Sequence, residues 1–237
     1  MDERVLKNLF KKIEQTEEFK TVNPLITDVF YTLYMRYKRT FSAIFVIKNS
    51  SDKDVTYTES LPLYRVLLET LFHFSYVISE LDSPEEIQKG YEALTKNSHK
   101  RIASKQRNLQ NKGKIVNDFL SSVEEDFKLP KEYSFLDDPL KLANKTGKID
   151  VFRNQYTVLN SFVHFNPSTF INYGEFENGK FKYNLKPSFD ENTIYRQVFA
   201  LTVAMIIELI SFLKVAELDN EVEVIVKQVL KSYEPVN

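Results

Sequence analysis

Cysteine and tryptophan are absent from this chain of 237 residues, and glycine (5) and proline (8) are scarce. The lack of cysteine rules out disulfides, iron–sulfur ligation, thiolate zinc sites and a thiol nucleophile. So few glycines and prolines leave few places where a helix must stop, which disfavours a loop-rich or all-β fold and favours long helices. The glycines at 90, 113, 147, 174 and 179 make neither a phosphate-binding loop nor a dinucleotide fingerprint. Only His73, His99 and His164 supply imidazoles. Their spacing matches no common metal site, H-E-x-x-H is missing and paired helical Glu-x-x-His motifs are missing, so neither metal nor cofactor is expected. There is no Gly-x-Ser-x-Gly elbow. An excess of charge is lacking as well: the net charge is −1, too small to draw the whole molecule to nucleic acid or anionic lipid.

No long hydrophobic run is unbroken. The most apolar stretch, Val198 to Leu213, is interrupted by Glu208 and flanked by Arg196 and Lys214. It reads as a buried core helix, too short and too broken to span a membrane. Met1-Asp2-Glu3-Arg4 leads directly into a charged amphipathic pattern without the apolar core of a signal peptide. The expectation is a soluble, cytoplasmic protein of a bacterium, with no membrane partner.

What is present is ordinary for a globular chain: 43% hydrophobic and 27% charged residues. With few Met, the 19 Phe and 13 Tyr must supply much of the core volume. Helical spacing of apolar residues predicts a first helix over Asp2–Phe19 and a second from Pro24 to Ile47. A loop follows over Asn49–Thr58. A third helix, capped by Ser60, runs nearly apolar all round to Leu81. Ser83 and Glu86 read as a reciprocal capping box for a fourth helix reaching Leu109. A fifth spans Ile115–Phe127, Leu129–Lys148 is loop-rich with one turn after Pro139, and a sixth runs from Asp150 to Phe165. Asn178-Gly179 between aromatic-rich runs signals a hairpin over Phe170–Leu185. A long apolar helix from Glu191 to Leu218 and an amphipathic one starting at Asp219 or Asn220 complete the chain. No repeat, low-complexity tract or domain boundary divides it. The expected fold is all-α: a single helical domain over 1–237, a bundle of about seven to eight helices with one appended hairpin.

Three polar constellations stand out. On the third helix Arg65, Glu69, His73, Tyr76 and Glu80 fall on one narrow stripe. Either this is a polar line inside the bundle, with Arg65 and Glu69 paired, or it is the helix's solvent edge. On the sixth, Ser161 and His164 share a face with Arg153, Thr157 and Asn160, opposite Phe152, Tyr156, Leu159, Phe162 and Val163. His164, with an unperturbed pKa of roughly 6.5, suits proton transfer; it equally suits a helix C-terminus as a stabilising imidazolium. Lys96, Lys100, Arg101, Lys105, Arg107, Lys112 and Lys114 form a basic run with no acid between Glu92 and Asp118. It is either a phosphate contact or a solvated helix face, the absence of interleaved aromatics favouring the latter.

Arg65-x-x-x-Glu69 on an early core helix, followed by Tyr156 and Ser161-x-x-His164-x-x-Pro167 on a later one, resembles a family of uncharacterised bacterial all-α proteins, a domain of unknown function with some members encoded near defence or mobile-element genes. The likeness covers roughly Leu33 to Leu213 and implies that Arg65, Glu69, Ser161 and His164 converge on one polar site. More loosely the chain is similar to the HEPN superfamily, helical bundles that include RNA-cleaving toxins. Those place an Arg and a His four to six residues apart, whereas seven residues separate Arg65 from His73 and ten separate Arg153 from His164. The likeness is therefore one of fold. Three functions follow: an interaction or regulatory module linked to defence, an enzyme acting on RNA or a nucleotide through Arg65, Glu69 and His164, or a small-molecule or nucleotide sensor. A homo-oligomer is expected, because the third helix and the one after Glu191 are apolar on more than one face.

Overall fold

In a computed structural model of the chain, residues 2–50, 57–110, 126–163, 174–183 and 191–231 are described. The chain is all-α. Helices α1 (Glu3–Gln15) and α2 (Glu17–Lys20) replace the single first helix expected. Thr16 separates them, its hydroxyl donating to the Ile13 carbonyl at 2.8 Å and accepting from the Phe19 amide at 3.3 Å, so one residue ends a helix and caps the next. Helix α3 is Thr27–Lys48 and α4 is Leu61–Ile78. Ser60 makes no side-chain capping bond; α4 instead continues from a 3-10 turn over Tyr57–Ser60. Helix α5 covers Pro84–Gln110. Ser83 caps it by accepting from the Glu86 amide at 3.3 Å, but the Glu86 carboxylate binds Tyr133 and Lys89 instead, so the expected capping box is not reciprocal.

The expected fifth helix lies almost wholly outside the described residues. The segment expected to be loop-rich holds a 3-10 turn, Lys131–Asp137, and a short α6, Pro139–Lys145, whose N-cap Asp138 accepts from the Leu140 and Lys141 amides. Gly90 admits that turn against α5: a Cβ there would sit 3.0 Å from Leu136.

Helical backbone then runs through 149–162 as α7 (Ile149–Val151), a π-helical turn (Phe152–Tyr156), α8 (Thr157–Leu159) and a 3-10 turn (Asn160–Phe162), the expected end at Phe165 lying outside the described residues. Strand β1 (Gly174–Glu177) pairs antiparallel with β2 (Lys180–Tyr183), Glu177 opposite Lys180, across Asn178 and Gly179 at φ 52° and 76°. Helix α9 is Glu191–Leu213 and α10 is Asp219–Lys231. Within α9, Asn192–Leu213 is long and apolar enough to cross a membrane by length and composition, with half of its most apolar window buried.

Helix α4 is the axis of the bundle, packed on α3, α6, α9 and the 149–162 helix. Its Leu67, Leu68, Phe72 and Phe74 are fully buried. Phe30, Tyr34 and Phe74 meet with centroids 5.4–6.4 Å apart, an aromatic centre continued by Phe10 and Phe19. A buried tyrosine hydroxyl calls for a partner: Tyr37 pairs with Thr202 at 3.1 Å, Tyr34 donates to Glu14 at 3.0 Å and Tyr76 to Asp82 at 2.7 Å.

Candidate functional site

Arg65 lies one turn into α4, facing the 149–162 helix. Its Nε donates to Asn160 Oδ1 at 3.1 Å, NH1 to Glu69 Oε2 at 2.9 Å, and NH2 to the Tyr156 hydroxyl at 2.7 Å. The guanidinium also lies over the Tyr156 ring, 4.9 Å from its centroid. Two i,i+4 pairs, Arg65/Glu69 on α4 and Tyr156/Asn160 opposite, thus meet face to face. The side chains of Arg65 and Glu69 are 21% and 32% exposed, so the pair is partly desolvated. Tyr156 is buried, wedged between Phe72 at 5.9 Å and Phe152 at 5.0 Å. Burial, reinforced by the Glu69 carboxylate and opposed by Arg65, raises its pKa, so its oxygen stays protonated and serves Arg65 as an acceptor. Beside it, Tyr64 donates to Gln155.

Ser161 is half-buried in the closing 3-10 turn, and its Oγ donates to the Val158 carbonyl at 2.7 Å. The hydroxyl is thus spent on its own helix. His164 and Pro167 lie outside the described residues. Of the four residues expected to converge, the structure joins Arg65 to Glu69, and it adds Tyr156 and Asn160 to them.

The rest of the α4 stripe turns to other neighbours. His73 Nδ1 lies 3.0 Å from the Tyr91 hydroxyl on α5. Burial, with Arg36 adding to it and Asp137 opposing, lowers the His73 pKa to about 4, leaving a neutral imidazole at pH 7. Tyr76 is buried on Asp82, which also pairs with Lys145 at 2.7 Å, while Glu80 is exposed. Along the stripe Arg65, His73 and Tyr76 thus contact other elements, while Glu69 pairs with Arg65 on its own helix and Glu80 is exposed. Along the basic run, Lys100 donates to the Phe127 carbonyl at 2.7 Å and Arg101 forks onto Asp137; Lys112 and Lys114 lie outside the described residues. Among the described residues no cluster of three or more His, Asp or Glu is placed to hold a metal.

Among the pairs that sequence reading missed, that of Glu208 with Lys148 lines a cleft. Glu208 in α9 accepts from Lys148 Nζ at 2.6 Å and from Ser75 Oγ at 2.7 Å. In the sequence Glu208 registers only as a break in an apolar run, and its lysine lies 60 residues away.

A family of unknown function, DUF5677, matches residues 27–181, which include α3, α4 and the 149–162 helix. No curated protein and no solved structure matches the chain.

Proposed function

The chain belongs to the DUF5677 family of unknown function, and we propose that it is a non-catalytic interaction or regulatory module in which the Arg65 cluster braces α4 against the 149–162 helix. The observation that carries this reading is the engagement of Arg65. Each of its three nitrogens donates to a different protein group, and its face is stacked on Tyr156. An arginine that stabilises a developing anion needs its donors aimed at the reacting atoms; these are aimed at Asn160, Glu69 and Tyr156. The Ser161 hydroxyl is held by a carbonyl rather than by a base. Ile207 and Val224, exposed on α9 and its neighbour α10, support a homodimer as one such interaction; a monomeric mass by light scattering at micromolar concentration refutes that. The resemblance to proteins encoded near defence genes supports a role in bacterial defence, and the balanced charge supports the cytoplasm.

One observation favours an enzyme of the HEPN kind acting on RNA or a nucleotide. Asn160, exposed and bonded to Arg65, stands four residues before His164, so a proton-transfer group follows closely on the brace. Purified protein incubated with RNA and with nucleotides, as wild type, Arg65→Lys and His164→Gln, separates the two readings. The module reading expects no turnover by any of the three. Turnover by the wild type that His164→Gln abolishes, with an unchanged melting curve, overturns it.

A further inference from the structure

The other end of α4 reaches a second polar site, built where three helices stop. Helix α4 ends at Ile78 and its chain turns at Glu80 (φ 54°); α6 ends at Lys145 and turns at Gly147 (φ 69°); α9 ends at Leu213 and turns at Lys214 (φ 61°). These are the positive-φ positions of the described residues apart from the hairpin's Asn178 and Gly179. Around the three turns lies a cleft of about 560 Å³, with Glu208 and Lys148 among its lining, within the size range of small-molecule sites.

The electrostatics of the cleft favour a cation. A helix C-terminus carries the equivalent of about half a negative charge; here the turns pair the Tyr76, Ala143, Asn144, Ile210 and Ser211 carbonyls, and what remains is the field of the aligned peptides. Glu80 and Glu208 add one each, and Lys148 and Lys214 offset them, which leaves the ends of the two long helices, α4 and α9, uncompensated by about one charge. Glu208 is the only charged side chain between Arg196 and Lys214. Its Oε1 takes Lys148 and its Oε2 takes Ser75. A carboxylate offers about four acceptor positions, so about half of its capacity is open, and its side chain is 36% exposed. Lys148 shows what this corner accepts: the fold seats an alkylammonium there with its side chain only 15% exposed. Ile78, Ile207 and Phe212 supply apolar wall alongside.

We propose that this cleft binds a short aliphatic diamine or polyamine, one ammonium on Glu208 in the field of the helix ends, the methylenes against Ile78, Ile207 and Phe212. The site stands on residues other than the Arg65 brace, so either reading survives failure of the other. The test is calorimetric titration of the full chain with putrescine and spermidine at constant ionic strength, with inorganic phosphate as the anionic probe. Saturable amine binding is expected. Glu208→Gln should weaken it about tenfold or more, the loss of one charge-assisted hydrogen bond. Lys148→Met should tighten it, because the resident ammonium no longer occupies the carboxylate. Opposite signs from the two partners of one ion pair distinguish a binding site from general destabilisation, which moves both the same way. Glu208→Gln leaves Lys148 unpaired, so Ser211→Arg, at an exposed position on the cleft wall, is the second variant. It should abolish amine binding with an unchanged melting curve. Absence of amine binding at millimolar concentration overturns the proposal. So does equal affinity in wild type, Glu208→Gln and Ser211→Arg, and so does phosphate binding that Lys148→Met removes.

Discussion

The two ends of α4 handle charge in different ways. At the N-terminal end, Arg65 donates to three partners on its own helix and the helix opposite, and rests on an aromatic face. At the C-terminal end, Glu208 reaches α4 through Ser75, holds one lysine and keeps acceptor capacity open to a cleft. A planar fork of five donors can be engaged by side chains alone and becomes a brace between helices. A carboxylate with one ammonium and one hydroxyl remains unsaturated. What separates a brace from a site in this fold is how many partners the charge already has, since both charges sit on helices rich in apolar residues.

The largest expected effect strikes the brace. Arg65→Ala removes three hydrogen bonds and a ring contact and leaves Glu69 without its cation, for a loss of about 3 kcal/mol. For a chain of this size that lowers the melting temperature by about 6–12 °C. A shift of a degree or two would show that Arg65 is a surface residue and would erase the contrast between the two ends.

Midway along α4, His73 offers a probe of acid. Its folded pKa of about 4 lies below its ordinary 6.5, so the neutral ring is favoured by folding. The stabilisation is complete above pH 6.5 and is lost as the pH falls from 6.5 through 4, where the unfolded chain binds the extra proton. The expected loss is on the order of 2 kcal/mol. Denaturant titrations at pH 7 and pH 4 should show wild type losing more than His73→Gln, the effect of acid on the carboxylates being common to both. Equal losses would mean that His73 is hydrated.

Glu69→Ala is expected to cost about 1–2 kcal/mol, measured by denaturant titration. That lies below the roughly 3–5 kcal/mol of a fully buried pair, because Arg65 keeps Tyr156 and Asn160 and the pair is partly exposed. It lies above the roughly 0.3–0.5 kcal/mol of a solvent-edge pair. A value in the lower range would make the brace an ornament of the surface.

The elements that were legible in the sequence are those whose signal is local. The cores of α3, α4, α9 and α10 follow from apolar spacing, as does the pairing of Arg65 with Glu69 at i,i+4. The break at Thr16 was hidden because amphipathic spacing continues across it and the capping bonds are short-range detail. The π turn at Phe152–Tyr156 left no trace, since one wide turn shifts a helix face without changing which residues are apolar. Asn160 and Tyr156 bond to Arg65 across 95 and 91 residues, and Lys148 reaches Glu208 across 60. Such pairings depend on how helices dock, and no periodicity records that.

The smallest expected effect decides the most about chemistry. Ser161 belongs to the motif that was expected to converge with Arg65, yet its hydroxyl donates to the Val158 carbonyl three residues back. A serine bonded in this way contributes little to a helix, because the carbonyl it occupies is also available to the backbone. Ser161→Ala should therefore change stability by less than about 0.5 kcal/mol, within the scatter of a thermal melt followed by circular dichroism. A catalytic serine would show the same quiet melt, so the melt is paired with the RNA and nucleotide incubation, where no turnover is expected from either form. A loss above about 1 kcal/mol would add Ser161 to the brace. Turnover by the wild type that Ser161→Ala removes, at an unchanged melting temperature, would make the N-terminal end of α4 a site and reverse the contrast drawn between its two ends.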